Sequence, residues 1–253
     1  MRREQIYLST IAADAPSAAR HYGLGLELAE YCTARNLDEC AAETAAAVGE
    51  KLSGIPRRIL HAPFNELFPC AIDPKARELA RFRYRQAIAL AREYGAEKVV
   101  IHGGYHPRIY YPCWYTGQSI LFWRDFLRED PGVIIVLENV LEEEPGMLPD
   151  IVRGVDDPRL RLCLDVGHAY AYSCTHPLEW LEYWAPWLSH FHLHNNDGTW
   201  DAHEALPCGG IPMEELLRLA DRLCPDATYT LEVTEAEPSV RWLLETGLLR
   251  HLM

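Results

Sequence analysis

Eight short apolar runs recur along the chain, and nearly every pair of them is separated by an amphipathic stretch with helical spacing. Short β-branched runs of this kind, alternating with helices, predict parallel strands joined by helical crossovers. The predicted strands are residues 5–9, 24–28, 58–61, 98–102, 133–138, 160–165, 190–194 and 228–232. The predicted helices are residues 41–52, 75–94, 117–128, 147–153, 177–187, 212–223 and 239–252.

Eight such units in 253 residues predict one α/β domain, a (β/α)₈ TIM barrel covering residues 1–253 with its functional site at the C-terminal face of the strands. An open, doubly wound sheet is the alternative. No G-x-G-x-x-G motif follows the first strand, which disfavours the dinucleotide-binding form of that fold.

Composition narrows the class of protein. No apolar run approaches the length of a membrane span, and the first residues, MRREQIYLST, contain no secretory apolar core, so we expect a cytoplasmic protein without a membrane partner. Eight scattered cysteines without a C-x-x-C pair argue against a disulfide framework. The net charge of −13 argues against a nucleic-acid partner. The oligomeric state stays open.

Residues that commonly bind metals stand at or just after the ends of six consecutive predicted strands. Strand ends of a barrel meet on one ring, where grouped carboxylates and imidazoles would repel or remain unpaired without a counter-charge. Imidazole with carboxylate suits Zn²⁺, Mn²⁺, Fe²⁺ or Co²⁺. The candidate ligands are His61, His102, Glu138, Asp165, His168, either His192 or His194, Asp201, His203 and Glu232.

These residues lie in motifs that resemble the xylose isomerase-like barrel superfamily, which includes sugar isomerases, sugar epimerases and endonuclease IV (apurinic endonuclease family 2). The resemblance spans nearly the whole chain. The motifs are HAPFN (61–65), IHGG (101–104), LEN (137–139), LDVGHA (164–169), HLHNND (192–197), DAHEALPCGG (201–210) and LEV (231–233).

The resemblance implies two ligand sets. In the endonuclease IV branch, nine side chains bind three zinc ions, and all nine candidate ligands match those positions. In the isomerase and epimerase branch, a smaller set binds one metal, and it matches Glu138, Asp165, His192 and Glu232. We therefore expect one to three divalent ions per chain, zinc first, with manganese as another candidate. The family motif places the seventh-strand ligand at His192. His194 shares the parity of His192, so it is the alternative ligand or a substrate contact.

Three functions follow from these sets. The first is a sugar or sugar-phosphate isomerase or epimerase, in which Glu138 and Glu232 bind metal and move the proton next to a carbonyl. The second is an endonuclease IV-like phosphoester hydrolase, which the complete nine-residue set favours. The third is a non-catalytic, metal-stabilised barrel. The acidic charge, and Pro207-Cys208-Gly209 where the family commonly has Gly-Glu-Gly, favour the first function and a small substrate.

An aromatic loop, residues 103–116, follows the fourth predicted strand. Loops at this face of a barrel build the active site, so we expect the loop to form a wall of a sugar pocket; a packed lid without substrate contact is the alternative. The side chains predicted to contact substrate are His194, Asn139, Tyr105, Arg108 and Trp200.

Overall fold

Eight parallel strands form a closed barrel in chain order in the computed structural model, which describes residues 1–249. Strand β8 pairs with β1 and closes the ring, with Ile6 opposite Tyr229. The barrel prediction is therefore confirmed. The strands are β1 (Ile6–Ser9), β2 (Gly25–Leu28), β3 (Arg58–His61), β4 (Lys98–His102), β5 (Ile134–Glu138), β6 (Leu160–Asp165), β7 (Leu188–Leu193) and β8 (Thr228–Leu231).

Ten helices cover the barrel within the described range. They are α1 (Ala15–Tyr22), α2 (Ala34–Asp38), α3 (Ala41–Leu52), α4 (Pro74–Tyr94), α5 (Pro112–Phe126), α6 (Met147–Val155), α7 (Val166–Tyr172), α8 (Pro177–Trp184), α9 (Met213–Leu223) and α10 (Ala236–Glu245). Two short 3₁₀ turns, Arg3–Gln5 and Glu30–Cys32, complete the elements. None of the helices within residues 1–249 is both long and apolar enough to cross a bilayer.

Several helices differ from the prediction. Helices α1, α2 and α7 were missed because each has about two turns or fewer, too few to show a sustained apolar stripe. Helix α5 begins at Pro112, before the predicted start at 117. Helix α7 begins where the Asp165 carboxylate accepts a hydrogen bond from the His168 N–H, which caps its first turn. Helix α10 begins three residues before the predicted start at 239 and ends at Glu245; the predicted residues 250–252 lie outside the described range.

The barrel interior is set by strand parity, because alternate residues of a strand point to opposite faces. The apolar part of the interior contains Tyr7, Ile59, Val100, Val136 and Cys163, which pack together. The larger apolar core lies between the strands and the helices. Residues two positions after an interior residue also point inward, so the last residue of several strands lies in the barrel mouth.

The aromatic loop packs onto the barrel and its helices. Tyr105 and Tyr115 are buried with ring centroids 5.0 Å apart. The indole N–H of Trp114 donates to the carbonyl of Cys70 over 2.9 Å. The Tyr115 hydroxyl donates to Glu142 over 3.1 Å, so the start of α5 is tied to the segment after β5.

Glu142 gives this packing a pH dependence. Burial raises the pKa of Glu142 to about 7, above its ordinary value of about 4.3. The folded state therefore favours the protonated carboxyl, and the free energy of unfolding falls as pH rises through that value. We expect Glu142 to cost the folded protein on the order of 2 kcal/mol between pH 5 and pH 8, and Glu142→Gln to abolish this loss.

Urea denaturation of the metal-free protein at both pH values measures the effect. Glu143→Gln is the matched control, because the neighbouring Glu143 is exposed and its replacement removes the same charge. Curves of stability against pH that run parallel for the wild type and Glu142→Gln would contradict the expectation.

Candidate metal centre

Parity places the candidate ligands together in the barrel mouth. His61, His102, Glu138 and Asp165 each follow an interior apolar residue by two positions. Strand pairing then makes them neighbours, with His102 beside Glu138 and Asp165 beside His192. The mouth is thus built by strand ends, the most rigid part of the fold, rather than by loops alone.

A central group combines three carboxylates and one imidazole. One ligand atom from each of Glu138, Asp165, His192 and Glu232 lies within 4.8 Å of all the others, and all four residues are buried. His192 Nδ1 lies 2.9 Å from Glu232 Oε2, 3.1 Å from Glu138 Oε1 and 3.8 Å from Asp165 Oδ2. The central group therefore surrounds a single point with nitrogen and oxygen donors.

A second group shares Glu138. Its other oxygen, Oε2, lies 3.2 Å from His61 Nε2 and 3.4 Å from His102 Nε2. The ligand atoms of these three residues also lie within 4.8 Å of one another. Each oxygen of one carboxylate thus serves a different group, which is the arrangement of a bridging ligand.

A third group surrounds Asp201. Its Oδ2 lies 3.0 Å from His203 Nε2 and 3.2 Å from His168 Nε2, and its Oδ1 lies 3.5 Å from His194 Nε2. His194 also contacts Asp165 at 3.0 Å. The two candidates for the seventh-strand ligand therefore belong to different groups. His192 lies in the central group, and His194 lies in the third group.

Backbone carbonyls orient three of the imidazoles. The Nδ1 atoms of His61, His168 and His203 lie 2.9, 2.9 and 2.7 Å from the carbonyls of Ala62, Asn139 and Glu232, respectively. A carbonyl only accepts, so each Nδ1 carries the hydrogen when the ring is neutral, and each Nε2 presents its lone pair to the groups.

The carboxylates and imidazoles in the mouth shift one another's pKa values. Burial alone would raise the pKa of Glu138, but His192 and His102 outweigh it and hold that pKa well below its usual range. The pKa of Glu232 is lowered to about 2 against the same burial, mainly by His192. Conversely, the carboxylates of Asp165 and Asp201 overcome burial and raise the pKa of His168 to about 10. Glu138 and Glu232 are therefore ionised, and His168 holds a proton that a metal ion would displace.

The donor set fits divalent metal ions. Asp201 Oδ1 and His194 Nδ1 are buried without a hydrogen-bond partner within the described residues, and a buried polar atom in that state is costly. The three groups offer imidazole nitrogens and carboxylate oxygens, the donors that zinc and similar ions take. The residues present could therefore hold the metal that the sequence predicts.

A cavity of about 430 Å³ opens onto these groups. Apart from the ligand-type residues, its walls are largely apolar. They are formed by Ile11, Ala29, Cys32, Phe64, Val140, Leu141 and Tyr172. The Phe64 ring stacks on His102 at 4.3 Å between centroids, and the Tyr172 ring stacks on His168 at 6.1 Å. A larger groove of about 610 Å³ beside α9 lies away from the three groups.

The structure places none of the five predicted substrate contacts in the lining of this cavity, and His194 is fully buried in the third group. Tyr105 is packed against Tyr115, and Arg108 and Trp200 are exposed outside the cavity lining. Asn139 is buried, and its amide donates to the Asp165 carbonyl and accepts from the Asp165 N–H, both over 2.9 Å. It therefore joins the ends of β5 and β6. In the aromatic loop Tyr105, Tyr110 and Tyr115 are packed, whereas Tyr111 and Trp114 are exposed, and no residue of the loop lines the cavity.

Sequence analysis missed Glu27, which lies on β2 and is fully buried beside His192. It also missed the cavity residues Phe64 and Tyr172. A charged residue inside the apolar run GLEL was the one available signal for Glu27, since a buried carboxylate needs a partner.

The chain belongs to the xylose isomerase-like TIM barrel family, whose model matches residues 19–248. An uncharacterised protein of Methanocaldococcus jannaschii, MJ1311, is 30% identical over 200 residues, which cover 72% of this chain and 66% of that protein. A second uncharacterised protein of that organism matches over 61% of its length. The chain therefore spans a little under two thirds of these curated relatives.

Solved structures share the fold over nearly their whole length. A D-tagatose 3-epimerase-like protein superposes with a TM-score of 0.79 and 23% identity, covering 96% of this chain and 97% of the other. At this identity the likeness shows the fold alone. The protein TTHB071 of Thermus thermophilus, from a crystal soaked with ZnCl₂, has a TM-score of 0.75 and 27% identity, covering 95% of this chain and 97% of the other.

Close packing of α7 against His194 gives a prediction. A Cβ on Gly167 would overlap the His194 ring, so Gly167→Ala has to displace the ring or the helix. We expect the free energy of unfolding to fall by about 1–3 kcal/mol, measured by urea denaturation. Gly117→Ala is the control, because a Cβ there meets no other atom; it should be neutral or slightly stabilising. Equal stability of both variants would contradict the placement of His194.

Proposed function

We propose that this chain is a divalent-metal-dependent isomerase or epimerase that acts on a sugar-like substrate by moving the proton next to a carbonyl. The observation that carries the proposal is the central group, in which Glu138, Asp165, His192 and Glu232 direct four donor atoms to one point. These residues would hold the ion. When bound, a divalent ion supplies Lewis-acid polarisation of a carbonyl and fixes the substrate beside it.

The proton transfers fall to the two glutamates that reach the cavity. Glu138 and Glu232 both line it, and their low pKa values keep them ionised. One ionised carboxylate accepts the proton from the carbon next to the carbonyl and can return it to the neighbouring carbon. The other glutamate, once it has taken up a proton from solvent, delivers that proton to the opposite face of the same carbon. Return to the opposite face of the same carbon yields an epimer, and return to the neighbouring carbon yields an isomer.

The cavity walls support a small, uncharged substrate. Phe64 and Tyr172 present rings at the cavity, and such faces suit the C–H surfaces of a sugar. Among the described residues, the lining contains neither Lys nor Arg, so a phosphate group would lack the usual side-chain cation. We therefore favour an unphosphorylated sugar over a sugar phosphate.

Metal content tests the ligand assignment. We expect the purified wild type to bind one to three zinc ions per chain, or another divalent ion such as manganese, and His102→Ala and Asp165→Asn each to lose metal because each removes a donor from one group. Elemental analysis after dialysis against zinc gives the stoichiometry. His21→Ala and Asp197→Asn, which change exposed residues, are matched controls. Full metal content in both site variants would contradict the assignment.

Isotope exchange tests the chemistry. The metal-loaded protein, incubated with ketohexoses in D₂O, should introduce one deuterium next to the carbonyl, detected by NMR and mass spectrometry. Glu138→Gln and Glu232→Gln should reduce this rate by at least about 100-fold, because general acid–base groups contribute on that scale. Glu235→Gln, at an exposed neighbouring position, should leave it unchanged. A metal-loaded protein that introduces no deuterium into any ketohexose would contradict the proposal.

A phosphoester hydrolase is the second candidate, favoured by one observation. Three groups, joined through Glu138 and Asp165, could hold three ions, whereas an isomerase needs only the central group. Three divalent ions would exceed the negative charge of the four carboxylates in the three groups, so the site would attract an anionic phosphoester. One divalent ion would leave the site negative, so the site would repel that substrate. Three zinc ions per chain, hydrolysis of phosphodiesters or abasic DNA and no deuterium exchange would select this function.

A further inference from the structure

A second set of buried polar side chains lies inside the barrel and meets the central group at His192. Glu27, His190, Thr230 and His192 come from β2, β7 and β8 and have no exposed surface. None of the four lines the cavity. A buried carboxylate at the centre of a barrel is costly unless its oxygens are satisfied, so its partners indicate what it does.

Glu27 meets the far side of the His192 ring. Its Oε1 lies 3.0 Å from His192 Nε2, while His192 Nδ1 faces Glu138 and Glu232. Within residues 1–249, neither Glu27 Oε1 nor His192 Nε2 has another hydrogen-bond partner. Each atom is therefore the available partner of the other, and the ring spans the distance between Glu27 and the central group.

A directed chain of hydrogen bonds reaches the other oxygen of Glu27. Burial lowers the pKa of Lys98 to about 8, so at pH 7 it is an ammonium, which only donates. Its Nζ donates to Ser189 O over 2.6 Å and to Thr228 Oγ1 over 2.7 Å. The Thr228 hydroxyl therefore donates its own proton elsewhere. Its nearer acceptor is His190 Nδ1, at 2.7 Å, whereas Ser189 O lies 3.4 Å away.

The chain ends on the Glu27 carboxylate. With His190 Nδ1 accepting, its Nε2 carries the hydrogen, which faces Glu27 Oε2 at 3.1 Å and Thr230 Oγ1 at 3.0 Å as acceptors. The Thr230 hydroxyl donates to Glu27 Oε2 over 2.5 Å. Glu27 Oε2 is thereby supplied with two donors, which leaves Oε1 to accept from His192 Nε2.

We infer that Glu27 is a positioning residue for the metal centre: it holds the His192 ring with the hydrogen on Nε2 and the Nδ1 lone pair directed at the central group. This inference rests on the proposed metal site. His192 differs in this respect from His61, His168 and His203, which are oriented by neutral carbonyls through Nδ1. A carboxylate partner also increases the electron density on the ligating nitrogen, which strengthens its bond to a metal.

Glu27→Gln tests this role with little change in size. The two oxygens of Glu27 accept hydrogen bonds from His190, Thr230 and His192. A Gln side chain has only one accepting oxygen, and its NH₂ group would face one of these donors without an acceptor. We expect zinc to bind about 10–100-fold more weakly, measured by competition with a chelator of known affinity. Glu27→Asp keeps the charge and should recover part of the affinity. Glu142→Gln is the matched control, because Glu142 is an equally buried carboxylate that contacts Tyr115 and Val140 instead.

A spectroscopic readout needs no variant. In the zinc-loaded wild type, ¹⁵N-resolved NMR of the histidine side chains should show the His192 ring with a proton on Nε2 and none on Nδ1. A His192 with the opposite tautomer would overturn the inference, even if Glu27→Gln failed to fold. So would a folded Glu27→Gln that binds zinc as the wild type does, and that result would leave the proposed function standing. A wild type that binds no metal would overturn both.

Discussion

Crowding of like charges in the barrel mouth is the constraint on which the site depends. Glu138, Asp165 and Glu232 are buried and lie within one group, and Asp201 lies in the next. Carboxylates this close repel one another strongly at low dielectric, and the histidines between them partly offset that repulsion by holding protons. A divalent ion can take over the same compensation, so the unfavourable charge of the mouth becomes affinity for metal.

Rigidity of the strand ends makes this arrangement possible. Glu138 directs one oxygen to the central group and the other to His61 and His102, so small shifts of β5 would disturb both. Asn139 joins the backbone of β6 to the end of β5, and backbone carbonyls fix three imidazole rings. The donors are therefore held before any ion arrives, which lowers the conformational cost of binding.

The interior of the barrel contributes more than apolar packing. Beside the apolar residues Tyr7, Ile59 and Val100, the polar chain from Lys98 to Glu27 links the strands to the ring of His192. Buried hydrogen-bond chains of this kind demand that every member be satisfied. The fold and the metal centre consequently share residues, and a change in the interior is expected to alter metal affinity without touching the cavity.

The sequence by itself determined the barrel and the strand ends, because parallel strands and crossover helices leave periodic apolar runs, and the carboxyl ends of such strands meet at one face. It also marked the nine ligand-type residues, of which His61, His102, Glu138, Asp165 and His192 converge through strand parity. Only the tertiary structure decided which of His192 and His194 enters the central group, that the aromatic loop packs away from the cavity, and that Asn139 joins two strands. It alone showed Glu27 against His190, 163 residues apart in the chain, because contacts across the barrel depend on closure of the ring and leave no local pattern.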